Sequence, residues 1–521
     1  MLRGILTVGG WTMASRLLGF LRDILISDLL GAGAVGDAFF VANKLPNLFR
    51  RLFGEGAFNA AFVPSFAGLL ASEGHAAAQA FAEQAAAVLA FWLVGMTVLA
   101  EAFMPGLMAL LAPGFAADPA KFDLAVTLSR ITFPYMPLIC LTALLSGVLN
   151  GLDRFAAAAA APVIYNLTSI AFMEGLLHVL PTAGHALAIG VSVSGVFQLA
   201  LVAWAVWRSG FRLHLPRPRL TPAMQVLFRR MAPGLLGAGV TQLNLSVDLF
   251  ISSLLPAGTV SILYYADRIN QLPLGIIGAS VGTALLPTLS RQVLGSAPEA
   301  AIGTINRAIE YALVLTLPAA LALVVVPDAI VATLFEHGRM TAADAHRSAQ
   351  ALAAYALGLP AFVLVKVVIP GFFARGDTTM PLRIGVASVA LNVALNVAFM
   401  RPLQHMGPPL AASLAAWANV AALAWVLHRR GQFVVDDALN SHTLRMIAAS
   451  MAMAGVLVLL QGGVFAPLAG RGNLLRMVGL AVLVGGGMAA YGVAGQALGA
   501  FDLRTLIRQV RRRGRRALPE G

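Results

Sequence analysis

The sequence predicts an all-α polytopic membrane protein of about 14 transmembrane helices. Three observations carry that expectation. The 521 residues are 59% hydrophobic and only 11% charged, against roughly 25% charged in average soluble domains. Apolar runs long enough to cross a bilayer recur along the whole chain. Basic residues gather in alternate connections between those runs, the bias that orients polytopic proteins.

The runs fall at 6–31, 36–70, 80–112, 123–149, 157–181, 185–207, 224–254, 260–289, 304–335, 347–374, 381–400, 408–427, 443–464 and 474–499. The first is not read as a cleavable signal peptide, because Arg16 interrupts it and no small-x-small cleavage site follows. The second is expected to kink, since Pro46, Gly54, Gly56 and Pro64 interrupt it. With the N-terminus inside, the inner connections collect Arg154, Arg208, Arg212, Arg217, Arg219, Arg291, Arg307, Arg375, Arg383, Arg429, Arg430 and Arg445. The outer ones hold only Lys121, Arg339, Arg401 and Arg471. Both termini are therefore expected in the cytoplasm, and the net charge of +13 reflects this bias rather than nucleic-acid binding. The single cysteine, Cys140, excludes an intramolecular disulfide and a cysteine-based metal site.

A weak internal repeat runs through the chain. GDAFFVANKLPNLF and AAFVPSF resemble SILYYADRINQLPL and TALLPTLS, matching Phe39-Phe40 to Tyr264-Tyr265, Leu45-Pro46 to Leu272-Pro273 and Pro64 to Pro287. SGVLNGLD resembles PGFFARGD, pairing Gly147 with Gly371 and Asp153 with Asp377. The offset of roughly 225 residues spans an even number of helices, so the halves are parallel, with a binding site expected between them. The expected division is a six-helix lobe at 1–215, a second at 216–435, two additional helices at 436–500 and a basic cytoplasmic tail at 501–521.

The first two runs carry unusual charge. Arg16, Arg22 and Asp23 lie in the first; Asp37, Lys44, Arg50, Arg51 and Glu55 lie in the second. Charge at membrane depth costs several kcal/mol by the lower estimates and usually faces a polar cavity or a partner. Arg16 and Asp23, seven apart, share a helix face. Asn43, Asn47 and Arg50 form one stripe, with Lys44, Arg51 and Glu55 on the next. Asp267 and Arg268 stand at the corresponding place in the second half. Surplus arginine implies an anionic ligand, phosphate or diphosphate, because the planar guanidinium stays charged and donates in pairs. Asp23, Asp37, Glu55 and Asp267 are read as neutralising these arginines when no ligand is bound. Asp248, with Asn392 and Asn396 one turn apart, offers either oxygen ligands for a sodium-type site or hydrogen bonds between helices. No Walker motif and no histidine metal spacing occurs, which argues against ATP hydrolysis and against an enzyme.

SRLLGFLRD (15–23), GDAFFVANKLPNLFRRLFGEGAFNAAFVP (36–64), APGF (112–115), ITFPY (131–135), YYADRI (264–269), VGTALLPTLS (281–290) and VKVVIPGFFARGD (365–377) together resemble the MurJ (MviN) lipid II flippase family, over essentially the whole chain. The resemblance implies the fold of the multidrug/oligosaccharidyl-lipid/polysaccharide exporter superfamily: two six-helix lobes in a V shape, with helices 13 and 14 forming a groove for a polyprenyl tail. It implies transport of undecaprenyl-diphosphate-linked disaccharide pentapeptide across the bacterial inner membrane. Its cavity arginines fall on Arg16, Arg22, Arg50 and Arg268, and its acidic residue on Asp37. Ser15, Asp23, Lys44, Asn47, Arg51 and Glu55 sit in the matching motifs. The sodium-type site of some relatives has an acid where this chain has Asn396.

No cofactor is expected. The membrane potential, worth about 2.3 kcal/mol per charge for each 100 mV, or a monovalent ion remains as the coupling source. Membrane lipids and the cell-wall synthesis machinery are the other expected partners. The competing readings are an exporter of another polyprenyl-diphosphate-linked glycan and a cation-coupled multidrug exporter of the same fold. Reporter fusions at Ser209 and at the C-terminus are expected to read as cytoplasmic; a periplasmic signal at either site would overturn the orientation and the parallel repeat together.

Overall fold

In a computed structural model the protein is described at residues 2–51, 57–295 and 298–501. Among these there is no strand. The chain opens with α1 (Leu2–Leu30), α2 (Ala34–Phe49), α3 (Ala57–Ser72), α4 (His75–Ala102) and the short α5 (Met104–Leu111). It continues with α6 (Pro119–Thr132), α7 (Tyr135–Gly151), α8 (Ala156–Leu176) and α9 (Ala183–Arg208). Beyond a linker come α10 (Pro222–Ser253), α11 (Thr259–Leu294), α12 (Pro298–Val325) and the short α13 (Pro327–Phe335). Then follow α14 (Ala342–Ala356), α15 (Leu359–Phe373), α16 (Thr379–Phe399) and α17 (Gly407–Arg429). The last helices are α18 (Asp437–Leu460), α19 (Ala466–Ala469) and α20 (Asn473–Ala497).

Every apolar run of the sequence falls on helix, but several runs are broken. Run 80–112 breaks at Phe103 ahead of Pro105, and run 123–149 at Phe133-Pro134. Runs 304–335 and 347–374 break at Val326-Pro327 and ahead of Pro360. Proline lacks the N–H that would continue the ladder and disfavours helical geometry in the residue before it. Run 36–70 divides into α2 and α3, with Arg50 and Arg51 in a π turn; Gly54 and Glu55 lie outside the described residues. By length and apolarity, ten helices of the described residues can cross a membrane. The charged α1 and the long α10 and α11 are not among the ten, so fourteen is a count of apolar runs, not of qualifying spans.

The repeat is visible in element order. From α4 to α9 and again from α12 to α17, a long helix is followed by a short proline-started one and then by four further helices. α4 and α12 have 28 residues each, and α8 and α16 have 21. One pairing shifts by a residue. After α7, Asp153 takes the left-handed conformation (φ 57°) while Arg154 N–H bonds the Leu149 carbonyl at 2.8 Å. After α15, Gly376 takes it (φ 74°) while Asp377 N–H bonds the Phe372 carbonyl at 3.1 Å. These matching helix ends align Asp153 with Gly376, not with Asp377.

The chain forms two compact units: Met1–Ser261 with Gly338–Met340, and Ile262–His337 with Thr341–Gly521. In the first, Phe58, Phe62, Phe66 and Phe81 stack on one another. Gly147 and Gly151 of α7 admit that stack, since a Cβ there would lie 3.0 Å from Phe62 and 2.6 Å from Phe66. In the second, α12, α15 and α17 share a core around Ile305, Val367 and Leu427. A separate cluster of Val326, Met453, Leu457 and Leu483 holds α18 and α20 to it.

Two internal prolines leave carbonyls that other helices satisfy. Pro46 cannot donate to the Ala42 carbonyl, which accepts the Thr132 hydroxyl of α6 at 3.1 Å. Pro318 cannot donate to Val314, whose carbonyl accepts the Tyr491 hydroxyl of α20 at 2.9 Å. A buried acceptor stripped of its donor costs about 1–3 kcal/mol. Thr132→Val and Tyr491→Phe are each expected to lower thermal stability in detergent by about that amount, and Thr132→Ser to preserve it. Unchanged melting of both apolar variants would show that the freed carbonyls find other partners.

Candidate functional site

In α1, Arg22 is 8% exposed and Asp23 not at all. The Arg22 guanidinium folds back onto Asp23, with Nη2 at 2.8 Å and Nε at 3.2 Å from Oδ1. Its Cζ lies 5.0 Å from the ring centroid of Tyr165 in α8, an attractive stacking for a guanidinium. The neighbouring Asn166 amide donates to the Ser15 carbonyl at 3.0 Å. These contacts set the rotation of α1 against α8, and hence where its charged face points. Arg16, two turns earlier, is exposed.

In α2, Asn47 donates to the Asn43 carbonyl at 2.7 Å, and Arg50 Nε donates to Asn47 Oδ1 at 3.0 Å. The structure thus joins Asn43, Asn47 and Arg50 in one ladder. Lys44 and Arg51 are exposed, and Glu55 lies outside the described residues. In the second unit, Asp267 and Arg268 are half-buried on α11, and the Gln271 amide donates to Asp267.

Asp37 stands elsewhere. It is 1% exposed and receives four donors. Lys121 Nζ and Gly258 N–H reach Oδ2, each at 2.7 Å. Ser261 N–H and its hydroxyl reach Oδ1 at 2.9 and 2.8 Å. Gly258 and Ser261 flank the start of α11, so the carboxylate occupies the anion-favouring end of that helix. Lys121 is itself 7% exposed, with Nζ 4.0 Å from the Phe115 ring centroid. The partner of Asp37 is therefore a lysine, not one of the arginines with which the sequence grouped it. Lys121, Tyr165, Asn166 and Ser261 did not emerge from sequence reasoning. Lys121 looked like an outer-loop charge, and the others were lost among apolar neighbours.

Asp248 is half-buried on α10, in the first unit. Asn392 and Asn396 are buried on α16, in the second, where the Asn396 amide donates to the Asn392 carbonyl at 3.1 Å. Among the described residues no group of three or more histidine, cysteine or acidic side chains is placed to hold a metal ion.

The sequence profile of the family described as lipid II flippase MurJ matches residues 26–477. A probable lipid II flippase MurJ of Rhizobium tropici is 40% identical over 98% of this chain and 97% of its own length. The lipid II flippase MurJ of Burkholderia cenocepacia is 33% identical over 87% of this chain and 89% of its own. A solved lipid II flippase MurJ in an inward closed conformation superposes with a TM-score of 0.79 at 23% identity, covering 96% of this chain and 99% of that one. An inward-facing multidrug resistance MATE family transporter of the MOP superfamily superposes with a TM-score of 0.67 at 16% identity, over 82% and 98%.

Asp37→Ala is expected to cost about 3–5 kcal/mol, because it leaves the buried Lys121 ammonium without its carboxylate. Pairing Asp37→Asn with Lys121→Met is expected to recover part of that loss. Thermal unfolding of the single and double variants checks it, and additive losses would show that the two residues do not act as a pair.

Proposed function

The chain belongs to the lipid II flippase MurJ family, and from that membership we propose that it carries lipid II from the cytoplasmic to the periplasmic leaflet of the bacterial inner membrane by alternating access. It is a multi-pass membrane protein, acting as a transporter and not as an enzyme. The observation that carries the proposal beyond the family is the cationic face of α1 and α2. Arg22 is held in place by Asp23 and Tyr165 within the first apolar run, Arg16 is exposed on the same helix, and Arg50 is braced by Asn47. Maintaining such charge in a membrane segment is expensive unless it meets an anion.

In this reading the diphosphate binds Arg16, Arg22, Arg50 and Arg268, with Ser15, Asp23, Lys44, Asn47, Arg51, Glu55 and Asp267 shaping their surroundings. The polyprenyl tail stays in lipid along α18 and α20. By the sequence's division after residue 215, the Asp37 node joins an element of the first half to one of the second. The three donors from Gly258 and Ser261 must be released before those elements can part, so the node serves as a latch rather than as a phosphate contact. The membrane potential or a monovalent ion drives the cycle, both termini are cytoplasmic, and the cell-wall synthesis machinery uses the delivered lipid. The sign of the charge disfavours a cationic drug as cargo.

Replacing Arg16, Arg22, Arg50 or Arg268 by Ala is expected to abolish complementation of a flippase-depleted strain at normal membrane abundance. For Arg22, buried and paired with Asp23, truncating one member of such a pair typically costs about 2–5 kcal/mol. Lys replacements are expected to restore growth where charge alone suffices and to fail where the bidentate fork is required. Growth of all four Ala variants would remove the diphosphate contact from the reading.

A further inference from the structure

Between α3, α4 and α10, all in the first unit, lies a crevice of about 480 Å³. α3 presents its small residues there, Ser65 and Gly68, beside Leu69. A Cβ on Gly68 would meet nothing within 4 Å, so the trough is open at that point. Phe81 of α4 and Val226 of α10 complete an apolar floor. Arg230 of α10 stands in the wall and donates from Nη1 to the Ser65 hydroxyl at 3.2 Å.

The linker between α9 and α10 adds charge beside this crevice. α4 holds it down through three side chains. The Gln79 amide donates to the Arg212 carbonyl at 2.8 Å, Glu83 accepts from His214 N–H at 3.1 Å, and the Gln84 amide donates to the Arg219 carbonyl at 2.7 Å. The linker leads into Pro222, the first residue of α10 and itself part of the crevice wall. Arg219, Arg229 and Arg230 are exposed, and none pairs with a carboxylate among the described residues. A site for a free anion has no use for an apolar floor, and a site for a neutral lipid has no use for an arginine in its wall, here Arg230, that meets no carboxylate. Both features together fit a phosphodiester joined to hydrocarbon.

We propose that this crevice binds an anionic phospholipid of the surrounding bilayer. The phosphodiester sits on Arg230 and Ser65, and the start of an acyl chain lies over Leu69, Phe81 and Val226. A lipid seated there braces α3 against α10. The assignment is independent of the cargo proposed above.

The test uses the full chain, purified and delipidated in detergent, with native mass spectrometry reading bound lipid. Phosphatidylglycerol is expected to be retained over phosphatidylcholine. Arg230→Gln is expected to lower its occupancy about tenfold, as for loss of a charge-assisted hydrogen bond, while Arg230→Lys keeps most of it. Gly68→Leu is expected to lower occupancy with every arginine intact, by filling the trough. Melting in lipid-free detergent confirms that each variant is folded. Equal retention of the two lipids, or full retention by folded Arg230→Gln, would overturn the assignment. So would displacement of phosphatidylglycerol by inorganic phosphate, which marks a simple anion site. Displacement by undecaprenyl diphosphate that requires Arg230 would overturn it too, transferring the crevice to the cargo's path.

Discussion

An ionised carboxylate withdrawn from water loses several kcal/mol of hydration, even after the protein relaxes around it. Asp37 is in that position, and its two oxygens are compensated by one ammonium, two backbone N–H groups and one hydroxyl. Those donors come from α6, from the turn before α11 and from the first residues of α11. Segments far apart in sequence must therefore meet around a single side chain. The glycines nearby follow from the same demand. A Cβ on Gly36 would lie 2.8 Å from the Ser261 hydroxyl, and one on Gly258 would lie 2.4 Å from the Ala32 carbonyl. Gly258 also has φ +89°, which a larger residue rarely adopts. The carboxylate and the glycines form one constraint: the backbone comes this close so that its N–H groups can reach Asp37.

Helices in lipid have no water to repair a broken ladder. The prolines inside α2 and α12 would each leave a carbonyl unpaired, and each carbonyl is taken by a hydroxyl from a different helix. The repair also links elements. Thr132 ties α6 to α2 beside the Asp37 node, and Tyr491 ties the additional helix α20 to α12. At Pro105, Pro134, Pro327 and Pro360 the helix instead ends and a new one begins. The same residue type thus sits inside a braced helix in some places and at a break in others.

That contrast bears on what the sequence could and could not convey. Helix existence was legible, because apolar runs of spanning length are a property of the chain alone. The repeat was legible from motif pairs, and the element order from α4 to α9 and from α12 to α17 repeats as well. The breaks were less so, because run length outweighed single prolines. The Asp153–Asp377 match followed letters, whereas the backbone aligns the left-handed residues Asp153 and Gly376. In the site, the charged stretch of α1 and α2 was legible as a cost that demands a reason. Its pairing was not. Arg22 and Asp23 are adjacent and leave the helix about 100° apart, so their contact requires the long arginine to fold back under Tyr165. Lys121 had no local signal at all, since its burial depends on Asp37, far away in sequence.

A carrier must hold its cargo firmly enough to select it and loosely enough to release it. The geometry of Arg22 bears on that balance. Its guanidinium is already engaged by a carboxylate and an aromatic face. On the proposed function, an incoming diphosphate gains only the difference between its own interaction and that of Asp23, not the full value of a bare buried cation. The same pairing keeps α1 from carrying an uncompensated buried charge through the empty return step, where desolvation would weigh most. Arg16 is exposed on the same helix and shows no such pairing among the described residues. On the proposed function, the two arginines contribute differently. Arg16 attracts the diphosphate through charge, while Arg22 exchanges one anion for another, and that exchange makes binding reversible.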